Sequence, residues 1–320
     1  MRLPALLLAL AIASPSRAQA PSPHAIDIPR WFTDTFLELR DDVREAAAQR
    51  KRVLLYFGQD GCPYCTALMQ TNFSQRSIAD KTRRHFVAIA LNLWGDREVV
   101  WLDGRHMSEK ALGRELRVQF TPTLLFFDEH GKLALRLNGY LPPHRFDAAL
   151  DYAAGLAGKG MRYDEYVKTA VRESASATLH DEDFFAAPPV ALTGAKPVAL
   201  LFETPYCAGC DELHRDGLQR PEVRRQLARF SVYRLTLSDM RTPQATWARG
   251  LRVAYTPTIV FFDRGREVLR IDTYLRPFHL ASAFDYVASR AYRREPSFQR
   301  YLQSRVQRMR EGGDKVDLWN

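Results

Sequence analysis

Short apolar runs alternate with segments of helical period along this chain of 320 residues, and the alternation is run through twice. Phe36, Leu37, Leu39, Val43 and Ala46 to Ala48 recur at helical spacing and stop at the basic residues Arg50 to Arg52, which predicts an amphipathic helix. Val53 to Phe57 is a continuous apolar run of the length a buried strand needs. Thr66 to Asn72 and Ser77 to Arg84 read as helix, and Phe86 to Leu93 as a second strand. Leu124 to Phe127 and Leu133 to Leu137 flank the turn Glu129-His130-Gly131-Lys132 and predict a hairpin, and His144 to Tyr152 a closing helix. The second pass gives strands at Val198 to Phe202 and Val232 to Leu237, then a hairpin of Ile259 to Phe262 and Val268 to Ile271 around Arg264-Gly265. It ends in a helix from Leu280 to Arg290. Strand, helix, strand, helix, hairpin, helix predicts an α/β unit, a mixed central sheet with helices on both faces, in two tandem copies.

Subtraction tests the duplication. Pro257 follows Pro122, Phe261 follows Phe126, Asp263 follows Asp128 and Tyr301 follows Tyr166, all by 135 residues, whereas Cys207 follows Cys62 by 145. A frame shared over that length marks an internal repeat. The first copy holds ten extra residues between its cysteines and its proline, expected around Gly95 to Met107, ahead of a helix that Ser108 caps with Glu109 behind it.

Length and composition fit two cores, since 46% of residues are hydrophobic and 11% aromatic. Arg2, the apolar run Leu3 to Ala13 and the small residues around Ser16 to Ala20 read as an export signal, too short in its apolar part to span a bilayer of about 20 residues' thickness. No cysteine lies near the cleavage region to take a lipid anchor, and no later stretch is long and apolar enough to span a membrane, so a soluble exported protein is expected. Removal of Arg2 and Arg17 with the signal lowers the formal charge from +9 to +7. The basic residues are dispersed and no nucleic-acid motif accompanies them, which predicts a solvated surface and no nucleic-acid partner. The expected organisation is a signal at 1–20, a first domain at 21–160, a helical linker at 161–195, a second domain at 196–295, and a C-terminal helix and tail at 296–320.

All four cysteines lie in two pairs, Cys62-Pro63-Tyr64-Cys65 and Cys207-Ala208-Gly209-Cys210, each at the end of a predicted strand, and each is answered later by Thr121-Pro122-Thr123 or Thr256-Pro257-Thr258. Thiol–disulfide exchange needs a thiolate that attacks and a second thiol near enough to resolve the mixed disulfide, and C-x-x-C at a helix start supplies both. Cys62 and Cys207 would take the helix N-terminus, where free amides and the dipole favour the thiolate, and Cys65 and Cys210 lie nearly a turn inside. Pro63 suits a first helical turn.

These features together, over roughly 100 residues per copy on the order of elements, resemble the thioredoxin fold. Cys-Pro-Tyr-Cys is glutaredoxin-like, while the export signal, the Phe-Phe-Asp strands and the tyrosine-rich C-terminal helices are similar to the periplasmic thioredoxin-like proteins of the SoxW type. The resemblance implies a thiol–disulfide oxidoreductase with Cys62, Cys65, Cys207 and Cys210 as its active pairs, and protein thiol or disulfide substrates with a redox partner protein. It also implies that Pro122 and Pro257 are cis and, with Thr121 and Thr256, position substrate; no cofactor is implied. Thioredoxins of the reducing type keep a buried acid six residues before the first cysteine, but Tyr56 and Leu201 stand there. Asp60 and Glu203 are expected to be solvated loop residues. The acids Asp211 and Glu212 behind Cys210 predict a higher pKa for Cys207 than for Cys62, and so a more reducing second site passing electrons to the first.

Other readings stay open. His214, four residues after Cys210, could join Cys207 and Cys210 as zinc or copper ligands, although only three are visible and Met69 stands at the matching place; a tuning or surface histidine is the expectation, and no metal. The pairs could also be structural staples in a redox-quiet binding module, yet a two-residue loop removes little chain entropy.

Overall fold

The computed structural model describes residues 26–158, 160–237, 241–253, 255–272 and 274–318. The export signal expected at 1–20 lies outside the described residues. In the first copy, α1 (Leu39–Ala48) leads to β1 (Arg52–Gly58), and Cys62 opens α2 (Pro63–Ala67), which runs on through a π-helical turn at Leu68–Asn72. Next come α3 (Arg76–His85), β2 (Phe86–Asn92), the short β3 (Glu98–Val100) and β4 (His106–Ser108), and α4 (Glu109–Glu115). The hairpin of β5 (Thr123–Phe127) and β6 (Leu133–Asn138) and then α5 (Pro143–Ala153) complete the unit.

After α6 (Tyr163–Ala170) the second copy follows the same plan: β7 (Val198–Glu203), α7 (Ala208–Glu212) with a π-helical turn at Leu213–Leu218, α8 (Pro221–Leu227), β8 (Ser231–Thr236), α9 (Pro243–Gly250), β9 (Thr258–Asp263), β10 (Arg266–Ile271) and α10 (Pro277–Ala288). The chain ends in α11 (Phe298–Glu311).

Each copy builds a four-stranded mixed sheet, β2-β1-β5-β6 and β8-β7-β9-β10. In both, the strand that delivers the cysteines is central, parallel to one neighbour and antiparallel to the strand that follows the proline. A strand buried on both faces has no polar side, which is why Val53 to Phe57 and Val198 to Phe202 read as unbroken apolar runs. The alternate residues split between two cores: Leu54 and Tyr56 face α2, α3 and α5, while Val53, Leu55 and Phe57 face α1 and α4. The ten extra residues of the first copy form the β3–β4 ribbon, and the Ser108 hydroxyl accepts from the Ala111 amide to cap α4 as expected.

Two expectations are corrected in detail. The first helix starts at Leu39 rather than Phe36, because Leu37 takes a left-handed φ of 59°, its amide bonding the Thr35 hydroxyl; Phe36 is 97% exposed. Residues 171–197 carry no helix, consistent with the Pro188-Pro189 pair and the absence of apolar periodicity there. The helix that does occupy the linker, α6, is the counterpart of α11 at the offset of 135, with Tyr163 matching Phe298.

These two helices join the copies reciprocally. Phe298 of α11 packs against Phe120 of the first copy with ring centroids 5.2 Å apart, and Tyr163 of α6 packs against Tyr255 of the second at 5.6 Å. Tyr255 follows Phe120 by 135 residues, so one aromatic contact is made twice with the roles of the copies exchanged.

Candidate functional site

β1 ends at Gly58 and the loop after it places Cys62 at the N-cap of α2, where the sulfur accepts from the Cys65 amide at 3.1 Å. Cys207 does the same at α7, with the Cys210 amide at 3.1 Å. Both pairs are disulfide-bonded, with Cα atoms 5.3 and 5.2 Å apart, and no other cysteine exists. The Thr121-Pro122 and Thr256-Pro257 bonds are cis. Thr121 and Thr256 direct their hydroxyls at the Cys62 and Cys207 sulfurs, at 3.3 and 3.5 Å, and the Thr121 carbonyl lies 3.3 Å from the Cys62 sulfur. The structure therefore brings each cysteine pair to its own Thr-Pro.

The residues between the cysteines make the sites unlike. At the first, Tyr64 is buried, its hydroxyl accepting from the Arg276 amide of the second copy at 3.1 Å and lying 3.3 Å from His279 Nδ1. Burial holds the His279 imidazole down to about 4. At the second, Gly209 takes the place of Tyr64, and a side chain there would begin 3.1 Å from Pro257 and 3.5 Å from the Arg145 guanidinium, which reaches in from α5 of the first copy.

Behind the disulfides the copies diverge again. In the first, the Tyr56 hydroxyl fills the space above Gly58, where an added Cβ would lie 2.0 Å from it. In the second, Leu201 stands at the place of Tyr56 and Glu203 at the place of Gly58. The expectation that Glu203 is a solvated loop residue is wrong: it ends β7, is 1% exposed, and accepts at 2.8 Å from His214. Asp60 is exposed and accepts from the Ile26 amide. The Tyr56 hydroxyl and the second Glu203 oxygen are each buried with no hydrogen-bond partner among the described residues.

His214 is not on the surface either. Its other nitrogen lies 2.9 Å from Glu182, and its ring stacks at 4.5 Å on His180, which in turn meets Asp211 at 2.6 Å. Burial pulls the imidazole's proton affinity down, but hydrogen bonds and charge from Glu203 and Glu182 outweigh it, and the net shift is upward from 6.5. With both nitrogens committed to carboxylates and both sulfurs to each other, Cys207, Cys210 and His214 do not form a metal site; among the described residues no group of three His, Cys, Asp or Glu could hold an ion.

The premise for a raised Cys207 pKa also changes. Asp211 is engaged by His180 and the Ser176 amide, and Glu212 faces Arg145 at 3.7 Å, so neither acid behind Cys210 acts alone. Burial raises the Glu212 carboxyl, with Arg145 working against it. A signal for the buried acid was present in the sequence: a carboxylate closing an all-apolar strand, with a histidine eleven residues on.

A cavity of about 470 Å³ opens beside Cys62, lined by Pro63, Tyr64, Thr121, Leu302 and Val306, the last two from α11. A second of about 760 Å³ opens beside Cys207, lined by Thr256, Pro257, Tyr163, Val167 and Lys168, the last three from α6. Cys62 is 4% exposed, whereas Cys207 is half-buried. No helix among the described residues is long and apolar enough to cross a membrane.

The profile of the thioredoxin-like domain family matches the chain twice, at residues 39–154 and 185–288. Among solved structures, the chain is similar to a thioredoxin-fold protein from Helicobacter pylori, at 26% identity over 42% of this chain and 91% of that one, with a TM-score of 0.31. It is also similar to the oxidised C-terminal domain of DsbD from Neisseria meningitidis (18% identity, 34% and 87% covered, TM-score 0.26). A third is a disulphide isomerase from Xylella fastidiosa (18% identity, 45% and 98% covered, TM-score 0.27). No curated protein matches the chain.

Proposed function

The chain belongs to the thioredoxin-like domain family and carries that domain twice, and from this premise we propose that it is an exported thiol–disulfide oxidoreductase that exchanges disulfides with protein substrates at both pairs. The observation that carries the reading is the repeated geometry: a C-x-x-C disulfide at a helix N-cap, a Thr-Pro hydroxyl on its first sulfur, and a cavity beside that sulfur.

In the reducing direction, the Cys62 or Cys207 thiolate attacks one sulfur of a substrate disulfide, the other leaves as a thiolate and takes a proton, and a mixed disulfide forms. Deprotonated Cys65 or Cys210 then attacks the first cysteine's sulfur and expels the second substrate thiolate. Two electrons pass to the substrate, and the pair returns to the disulfide seen here. The oxidising direction is the reverse, and in either case a second thiol–disulfide protein resets the pair. The amide that each first sulfur accepts stabilises its thiolate, the form that attacks. Export is supported by the apolar run and small-residue site of residues 1–20, and kinship with the SoxW type by that signal with the Phe-Phe-Asp strands and tyrosine-rich C-terminal helices. Thr121, Pro122, Thr256 and Pro257 are the substrate-positioning residues in this reading.

Replacing Cys62 and Cys207 together by serine abolishes turnover of a protein disulfide, and replacing Cys65 or Cys210 alone traps mixed disulfides visible on non-reducing gels. Undiminished turnover in the double variant overturns the proposal.

A further inference from the structure

Each groove has a wall from the other copy, and the two walls differ in charge. At the second site, Tyr163 and Val167 of α6 and Val171 just past its end face the cavity that holds Cys207, Thr256 and Pro257. Tyr163 and Val167 are four residues apart, so they share one helix face. Lys168 and Arg172 line the same cavity and are exposed. The acids of that wall are already engaged: Asp164 by Arg162 at 2.9 Å, and Glu173 by Arg145 at 2.9 Å and by His144. Among the described residues neither Lys168 nor Arg172 has an ion-pair partner, so the wall presents two cations beside an apolar strip.

At the first site the wall is α11, with Leu302 and Val306 beside Gln303 and Gln307, and its charged pair, Arg310 and Glu311, is of opposite sign. Phe298 and Gln299 fasten α11, the latter through Gln59 at 2.7 Å and the Gln119 carbonyl at 3.0 Å.

We propose that the groove at Cys207 docks a cysteine-bearing segment of a partner protein that carries acidic side chains next to its cysteine, and that Lys168 and Arg172 of the first copy select it. This rests on the oxidoreductase reading and deepens it. The charge complementarity belongs to the second site alone, so the two sites choose different substrates, and neither domain by itself would carry the choice.

The test uses the full chain with Cys62 and Cys65 replaced by serine, which leaves only the second pair. Two disulfide-linked peptides, identical except for aspartates or lysines beside the cysteine, are offered to the reduced protein, with a small neutral disulfide as control. The acidic peptide exchanges about tenfold faster than the basic one at low salt, as two exposed charge contacts allow. The preference collapses in Lys168→Glu/Arg172→Glu and at about 1 M salt, where the screening length falls to about 3 Å, while exchange with the neutral disulfide is unchanged. Equal rates for the two peptides, or a preference that survives the charge reversal, overturn the proposal. Failure to exchange even the neutral disulfide sinks the oxidoreductase reading instead, and this proposal with it.

Discussion

Glu203→Gln separates the charge of the buried carboxylate from its shape. The glutamine carbonyl can still accept from His214 Nε2, now 2.8 Å from Glu203, so the geometry survives while one of the two carboxylates facing the imidazole becomes neutral. What faces His214 is Glu203, Glu182 and the stacked His180, with Asp211 beyond His180. The burial that disfavours the imidazolium is untouched. A hydrogen bond to a charged partner contributes about 1.5–3 kcal/mol, and weakening it lowers the His214 pKa from its raised position.

The sign of the stability effect follows from linkage. In the wild type the folded pKa lies above 6.5, so the stabilisation by His214 is complete below the unfolded value and is lost as pH rises through the folded one. In Glu203→Gln that contribution is reduced or reversed, and above the wild-type folded pKa the variant also escapes a buried carboxylate left without its cation. The variant is therefore less stable than the wild type at pH 6, and the difference shrinks or changes sign by pH 9. Imidazole NMR titration of the full chain reads the pKa, and denaturant unfolding at the two pH values reads the stability. An unmoved His214 titration, or a stability difference independent of pH, refutes the reasoning.

His279 gives the opposite slope: its folded pKa of about 4 lies below the ordinary 6.5, so stability is full above pH 6.5 and falls toward pH 4 by up to about 3 kcal/mol. His279→Phe flattens that segment of the denaturation profile, and a profile as steep as the wild type's refutes the assignment. Phe298→Ala empties a fully buried position between Phe120 and Tyr286, at a loss of about 3–5 kcal/mol, and frees α11 from the first site, so alkylation of reduced Cys62 accelerates while that of Cys207 does not.

What was legible in the sequence is what depends on spacing along one stretch of chain. The apolar runs at Val53 and Val198 are central strands because burial on both faces leaves no polar alternation, and Cys62 and Cys207 are caps because each follows such a strand at a helix start. The offset of 135 already paired Tyr166 with Tyr301 and so marked α6 and α11 as counterparts. It could not show that each leans on the other copy, because Phe120 and Phe298 are 178 residues apart in sequence and nothing local encodes their contact. The burial of Glu203 is hidden from the sequence for a related reason. A glutamate is expected outside unless paired, and its partner, His214, lies beyond the cysteines on the next element, itself held by Glu182 from the linker. Nothing in the sequence points to Arg145, because its helix is on the first copy and the site it enters is on the second.

The two copies share a frame and differ where the frame leaves room. Beside the tyrosine at 56 only glycine fits at 58, since the hydroxyl would sit 2.0 Å from any Cβ there, whereas the second copy has leucine at 201 and glutamate at 203. Tyr64, between its cysteines in sequence, is held to the second copy at Arg276 and His279, whereas glycine at 209 leaves room for Arg145 from the first. Each difference is thus a pair of compensating choices rather than one substitution. Exchanging only one member, such as placing glutamate at 58 beneath an intact Tyr56, would create a clash, while exchanging both could transplant the buried acid. The sites share the cysteine pair at a helix cap and the Thr-Pro beside it, and they differ in these coupled positions and in the walls lent across the interface.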